Sequence, residues 1–120
     1  MRNARRSIRT LTALCTIAVS LIAPAAALAR YAAIAIDPVT CTWGTSYHAA
    51  TRAIAERKAK HECRGRCRVL IWVRDQCAAA VETRAAFWGG FGPSRTAAIR
   101  DARRRAHDRH ARFIVWTCSG

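Results

Sequence analysis

Residues 68–77 read RVLIWVRDQC and residues 112–118 read RFIVWTC, so one apolar segment with a tryptophan and a closing cysteine is written twice in a chain of 120 residues. Setting the two halves side by side extends the match. Residues 32–37 (AAIAID) align with 78–83 (AAAVET), Trp43-Gly44 with Trp88-Gly89, and the arginine-rich segment 51–62 with 96–107. Across these matches the offset drifts from 46 through 45 to 44, as small loop deletions would produce. Four matches in the same order point to a duplicated unit, about 31–76 and 77–118. A fold for this chain therefore has to be one that a unit of that size can form twice.

Within each unit the first two segments are short, rich in aromatic or β-branched residues, and divided by turn formers such as Asp37-Pro38, the pattern of two strands. The third segment has a different period. Ala55, Ala59 and Cys63 recur every fourth residue, as do Ala98, Ala102 and Ala106, while arginine and lysine fill the other positions. These are amphipathic helices with narrow stripes of small residues. Ser94 after Pro93 suits the N-cap of the second helix, and Gly65 suits the end of the first. A last strand follows each helix, which gives β-β-α-β repeated. The fold class expected is α+β, with alanine-faced helices lying close on a mostly antiparallel sheet of open connectivity.

The front of the chain belongs to export. Residues 1–9 (MRNARRSIR) are basic, and residues 11–29 are apolar without a charge. Such a run is long enough to span a bilayer, but Pro24 and the small-residue site Ala27-Leu28-Ala29 suit a cleaved signal peptide, cut after Ala29. Arg5-Arg6 leaves the twin-arginine route open beside the general one. No later stretch is apolar enough to span a membrane, so the mature chain is expected to be secreted or periplasmic, without a transmembrane segment. It retains seventeen of the 21 basic residues and all seven acidic ones, a net charge of +10. Five of the six cysteines also remain. A single domain of this size buries too little apolar surface for comfortable stability, and disulfides are the usual supplement outside the cytoplasm.

The opening YAAIAID, the stretch WGTSYHAATRAIAERKAKHEC, the segment CRVLIWVRDQCAAAV, the glycine-rich AFWGGFGPSRTAAIRDA and the terminal FIVWTCS together resemble the bacterial secreted family known as domain of unknown function 4189. The resemblance covers residues 31–119 and implies architecture and export but no reaction. Two departures stand out: Cys41 is additional to the pattern, and the second helix lacks the cysteines that follow the first. In the repeat, Cys63 and Cys67 correspond either to His107 and Ala111 or to Ala106 and His110, so both are missing together from the second copy. That makes Cys63–Cys67 and Cys77–Cys118 the expected bridges, with Cys41 unpaired. Five cysteines with one left over allow fifteen arrangements, and this one rests on the repeat alone.

Chemistry is harder to find. His61, Cys63 and Cys67 cluster, and His107 and His110 are expected one helical turn apart, but the cysteine spacing is loose for zinc and export favours oxidation. No metal site and no cofactor is expected, and the histidines are assigned to solvated basic faces. Ser46, Ser94, four histidines and seven acids form no motif of nucleophile, base and orienting group, so a non-enzymatic protein is expected. The glycines of WGGFGPS lack the lysine of a phosphate loop and suggest a bulge or tight turn. Trp43, Trp72, Trp88 and Trp116 fall at matching places in the repeat, which assigns them to core packing rather than ligand stacking.

Charge is the strongest remaining signal. Arg57, Lys58 and Lys60 crowd the first helix, and Arg100, Arg103, Arg104, Arg105 and Arg109 the second and its exit. Such surfaces attract polyanions, here an anionic envelope component or an acidic protein. Sequence-specific nucleic-acid recognition is not expected, since no reading motif occurs. Against this stands the bland reading, an arginine-rich solvated face. A further alternative is an effector or inhibitor that meets a protein partner through the glycine-aromatic segment 87–91.

Overall fold

The computed structural model describes residues 28–120, so the expected signal peptide lies outside the described residues but for its last two. Eight elements follow in order: β1 (Tyr31–Asp37), β2 (Thr42–Ala49), α1 (Arg52–Cys63), β3 (Arg68–Arg74), β4 (Cys77–Glu82), β5 (Phe87–Gly92), α2 (Arg95–Arg105) and β6 (Arg112–Cys118). They form two three-stranded sheets, β2-β1-β3 and β5-β4-β6, in which every pairing is antiparallel. In each sheet the first strand of the unit is central, and the chain crosses over through the helix to reach its other edge.

Alternation along the central strands sets the layers, because successive side chains on a strand point to opposite faces. Ala32, Ile34 and Ile36 of β1 meet Ala78 and Ala80 of β4 in a core between the sheets. Ala33 and Ala35 face the other way, onto Ala55, Ala59 and Cys63 of α1. Ala79 packs on Ala98, and Val81 on Ala102, beneath α2. The molecule is thus a four-layer sandwich, helix on sheet on sheet on helix. Small residues on both sides of each helix–sheet contact let the layers approach closely. At Gly44 and Gly90 this approach is extreme: a Cβ on Gly90 would stand 2.1 Å from the Ala102 nitrogen, and one on Gly44 would stand 2.2 Å from the Ala59 carbonyl oxygen.

The two units share several details. Leu70 is an extra residue in β3 between the partners of Ile34 and Ala35, and Ile114 is extra in β6 between the partners of Ala80 and Val81. Each bulge turns two consecutive side chains, Leu70 with Ile71 and Ile114 with Val115, into the same core between the sheets. Ahead of each central strand the same pair of hydrogen bonds recurs. The Arg30 N–H donates to Asp75 Oδ1 and the Asp75 N–H returns to the Arg30 carbonyl, both at 2.9 Å. In the second unit the Gln76 N–H donates to Ser119 Oγ and the Ser119 N–H to the Gln76 carbonyl, both at 2.8 Å. Both helices open on a hydroxyl cap, Thr51 Oγ1 accepting from the Ile54 N–H and Ser94 Oγ from the Ala97 N–H.

Several expectations change. Register places Trp43 opposite Ile36 but Trp88 opposite Val81, one position out of step in the repeat. On a strand a slip of one residue reverses the face. Trp43 therefore lies on the sheet–sheet side at an edge, while Trp88 packs under α2, with its indole N–H donating to Thr83 Oγ1. Of the four tryptophans only Trp88 packs against the core as expected: Trp43, Trp72 and Trp116 are 46%, 39% and 41% exposed. The helices lie over the central strands and β2 or β5, leaving the helix-side faces of β3 and β6 less covered. The segment 87–92 contains neither bulge nor turn and pairs regularly with β4. Its glycines admit neighbouring layers, Gly90 the α2 backbone and Gly89 the side chain of Ile71. At the end of α1 the left-handed residue is Arg64, not Gly65, which instead makes room for the Asp37 carboxylate.

Among the described residues, Cys63–Cys67 and Cys77–Cys118 are disulfide-bonded and Cys41 is a free, exposed thiol. Cys77 and Cys118 are direct partners across β4 and β6. In the chain-entropy picture a loop of this length is worth ~4 kcal/mol and the short Cys63–Cys67 loop ~2 kcal/mol. Counting from the shared caps pairs Cys63 with Ala106, and the strand register pairs Cys67 with Ala111. Where the first unit has a sulfur bridge, the second therefore has two alanines packed about Val81.

Candidate anion-binding site

The outward faces of the helices follow from their buried stripes. With Ala98 and Ala102 against the sheet, Thr96 and Arg100 turn to solvent, as do Arg57, Lys58 and Lys60 once Ala55 and Ala59 are buried. Neither helix carries an acid in its first turn, and both have basic residues in the last, where the C-terminal end of the helix dipole favours cations.

Along α2 and the turn beyond it, Arg100, Arg103, Arg104, His107 and Arg109 line an open groove of about 570 Å3, floored in part by Ile99 and containing one acid, Asp108. The helix ends at Arg105, so His107 is in a left-handed turn and His110 lies outside the helix, not one helical turn further along it. In the first unit Arg52, Arg57 and Lys60 line a similar groove of about 600 Å3 on α1, with Glu56 where α2 has Ile99.

The eight basic residues singled out from the sequence are not equally free. Arg104 pairs with Asp101 Oδ1, and Arg105 Nε lies 3.0 Å from Asp101 Oδ2. The Phe91 N–H donates to the same carboxylate at 3.0 Å, tying α2 to the outer edge of β5, and Arg105 stacks 4.7 Å from the Phe91 ring. Burial works to raise the Asp101 carboxyl. The bonds from Arg104 and Phe91 and the charges of Arg105 and Arg104 outweigh it, so the group titrates below its ordinary value. Arg103 Nε donates to the Ala111 carbonyl at 3.1 Å, which fixes its side chain along the groove. Arg57, Lys58, Lys60, Arg100 and Arg109 have no ion pair among the described residues, and these carry the uncompensated charge.

Other residues singled out from the sequence have structural partners. Cys63 and Cys67 are bonded to each other and so are unavailable to a metal beside His61. Ser46 is buried, its Oγ accepting from the Ala33 N–H and donating to the Ala55 carbonyl at 2.7 Å, which joins β1, β2 and α1. Ser94 is a helix cap. Of the segment 87–91, Phe87 packs toward the sheet–sheet core, Trp88 lies under α2, and Phe91 alone among its aromatics is exposed.

The sequence did not reveal a pair of matched contacts at the helix starts. Arg52 lies 4.2 Å from the Trp72 ring, and Arg95 5.1 Å from Trp116. They stand at corresponding positions one residue past each cap and shield the tryptophans that the helices leave uncovered. The signal was present as an arginine after each hydroxyl cap, but only the register shows what lies beneath it.

A family profile described as "Domain of unknown function (DUF4189)" matches residues 31–118. The chain belongs to this family. Among solved structures, the NMR structure of Rv1813c from Mycobacterium tuberculosis is similar to this member of the family, with 32% identity and a TM-score of 0.60 over 75% of each chain. No functionally curated protein matches.

Proposed function

We propose that this member of the family is an exported, non-enzymatic binding module, formed by tandem duplication of a β-β-α-β unit, that holds anionic polymer of the cell envelope on its arginine-rich helices. The observation that carries the reading is the groove on α2, where Arg100 and Arg109 lie beside Arg103 and His107 with a single acid in the lining. Polyanions release counterions when such residues neutralise their charges, which favours binding without a shaped pocket. The repeated bulges and hydrogen-bond pairs support duplication, and two disulfides suit an oxidising compartment.

Charge reversal tests it at residues with no internal partner. Arg57→Glu, Lys60→Glu, Arg100→Glu and Arg109→Glu in one chain should abolish retention on immobilised polyphosphate or wall polymer at moderate salt, with thermal stability unchanged. Retention equal to the parent's at every salt concentration rejects the reading.

A further inference from the structure

We propose that the protein is a two-ended bridge, in which α1 and α2 each hold a separate strand of linear polyanion so that one molecule cross-links two. This rests on the anion-binding reading and adds valency and occupant to it.

The layer order carries the argument. α1 packs on the β2-β1-β3 sheet and α2 on the β5-β4-β6 sheet, and the sheets pack on each other, so the two helices occupy opposite outer faces. Three layer spacings of ~10 Å put the helix axes about 30 Å apart. That is several times the ~8 Å screening length at physiological salt, so polymer on one face does not repel polymer on the other. Charge is divided to match: residues 31–76 hold eight basic and four acidic residues, and residues 77–118 hold eight and three. Counting from the caps Thr51 and Ser94, Arg57 corresponds to Arg100 and Lys60 to Arg103, and each pair lines a groove of similar size, about 600 Å3 on α1 and 570 Å3 on α2. Within the grooves Glu56 stands against Ile99, which makes the α1 groove the weaker, and beyond them Lys58 stands against Asp101, His61 against Arg104 and Glu62 against Arg105.

The same surfaces favour a polymer strand over a lipid bilayer. The large exposed apolar residues among those described, Leu28, Val39, Trp43, Tyr47, Trp72, Phe91 and Trp116, all lie outside both helices, and Trp72 and Trp116 beside them lie on the sheet under Arg52 and Arg95, so neither helix carries a large apolar side chain to insert among acyl chains. What each face offers is a row of cations beside a groove, suited to a chain of regularly spaced phosphates.

A sandwich measurement tests this. The disulfide-bonded protein is captured on a surface bearing short polyphosphate, and fluorescent polyphosphate is then supplied in solution. The parent should capture the second polymer. A one-face variant, Arg57→Glu with Lys58→Glu and Lys60→Glu, or Arg100→Glu with Arg109→Glu, should still bind the surface and lose at least tenfold of the second capture. Second capture by both one-face variants at the parental level overturns the bridge, as does a parent that binds the surface but captures nothing further; either result leaves single-site anion binding intact. A parent that does not bind the surface overturns both readings. Second capture of phosphatidylglycerol vesicles but not of polyphosphate overturns the linear occupant.

Discussion

Gly90 is where the close approach of helix and sheet is most exposed to test. Its hypothetical Cβ would lie 2.1 Å from the Ala102 nitrogen, 2.5 Å from the Ala102 Cα and 2.6 Å from the Ala98 carbonyl oxygen. Ordinary carbon contacts lie at ~3.5–4.0 Å, so in Gly90→Ala α2 must retreat by more than ~1 Å. The retreat loosens Ala98 from Ala79 and Ala102 from Val81. Overpacking a core costs ~1–3 kcal/mol, and because main chain rather than a flexible side chain is struck, about 3 kcal/mol applies. For a domain of this size each kcal/mol shifts Tm by ~4–8 °C, which gives a fall of roughly 12–24 °C. Circular dichroism melts of the oxidised protein measure it. Gly89→Ala is the internal control, since the nearest atoms to its Cβ belong to the Ile71 side chain, at 2.9 Å, and it should cost less. Ala102→Gly should not rescue Gly90→Ala, because the struck atoms remain. A Gly90→Ala melt within ~3 °C of the parent's, or rescue by Ala102→Gly, would refute the reasoning.

Replacing Cys77 and Cys118 together by serine should cost ~4 kcal/mol, and the same change at Cys63 and Cys67 ~2 kcal/mol, read from urea midpoints; equal losses would contradict the loop-length argument. The Val39 N–H, helped by Thr40 and by the Arg66 N–H, holds the buried Asp37 carboxyl below its ordinary 3.8 despite desolvation. With its folded-state value depressed, Asp37 contributes stability that is fully present above the unfolded value near 4 and is lost as pH falls through the folded value. The parent should therefore weaken below about pH 4, and Asp37→Asn should show a shallower acid slope in urea midpoints; identical slopes would exclude this role. Asp101→Asn should release Arg104 and Arg105, lowering Tm by a few degrees while raising polyphosphate affinity severalfold in a binding titration, and unchanged affinity would count against the electrostatic account.

Much of the architecture was legible because it depends on local pattern. The four-residue recurrence of Ala55, Ala59 and Cys63 fixed the buried stripe of α1, and Ser94 marked the start of α2 through the same hydroxyl chemistry that the structure displays. The repeat also led to the two disulfides. Register was less legible. Aligning Trp43 with Trp88 by identity hid a one-residue slip, because a strand in one-letter code does not say which face a side chain takes. Helix coverage, a property of the assembled sheet, decides the exposure of Trp72 and Trp116. For the candidate site, composition marked the basic helices, but not which arginines Asp101 and the Ala111 carbonyl engage.

The most direct test of the central claim, that the outer helix faces are the binding surface, is a heteronuclear NMR titration of the oxidised protein with polyphosphate. The account predicts shifts concentrated at Arg57, Lys58, Lys60, Arg100, Arg103 and Arg109, fading as salt is raised. Shifts gathered instead around Phe91, Trp43 and Tyr47, or none at saturating polymer, would contradict it.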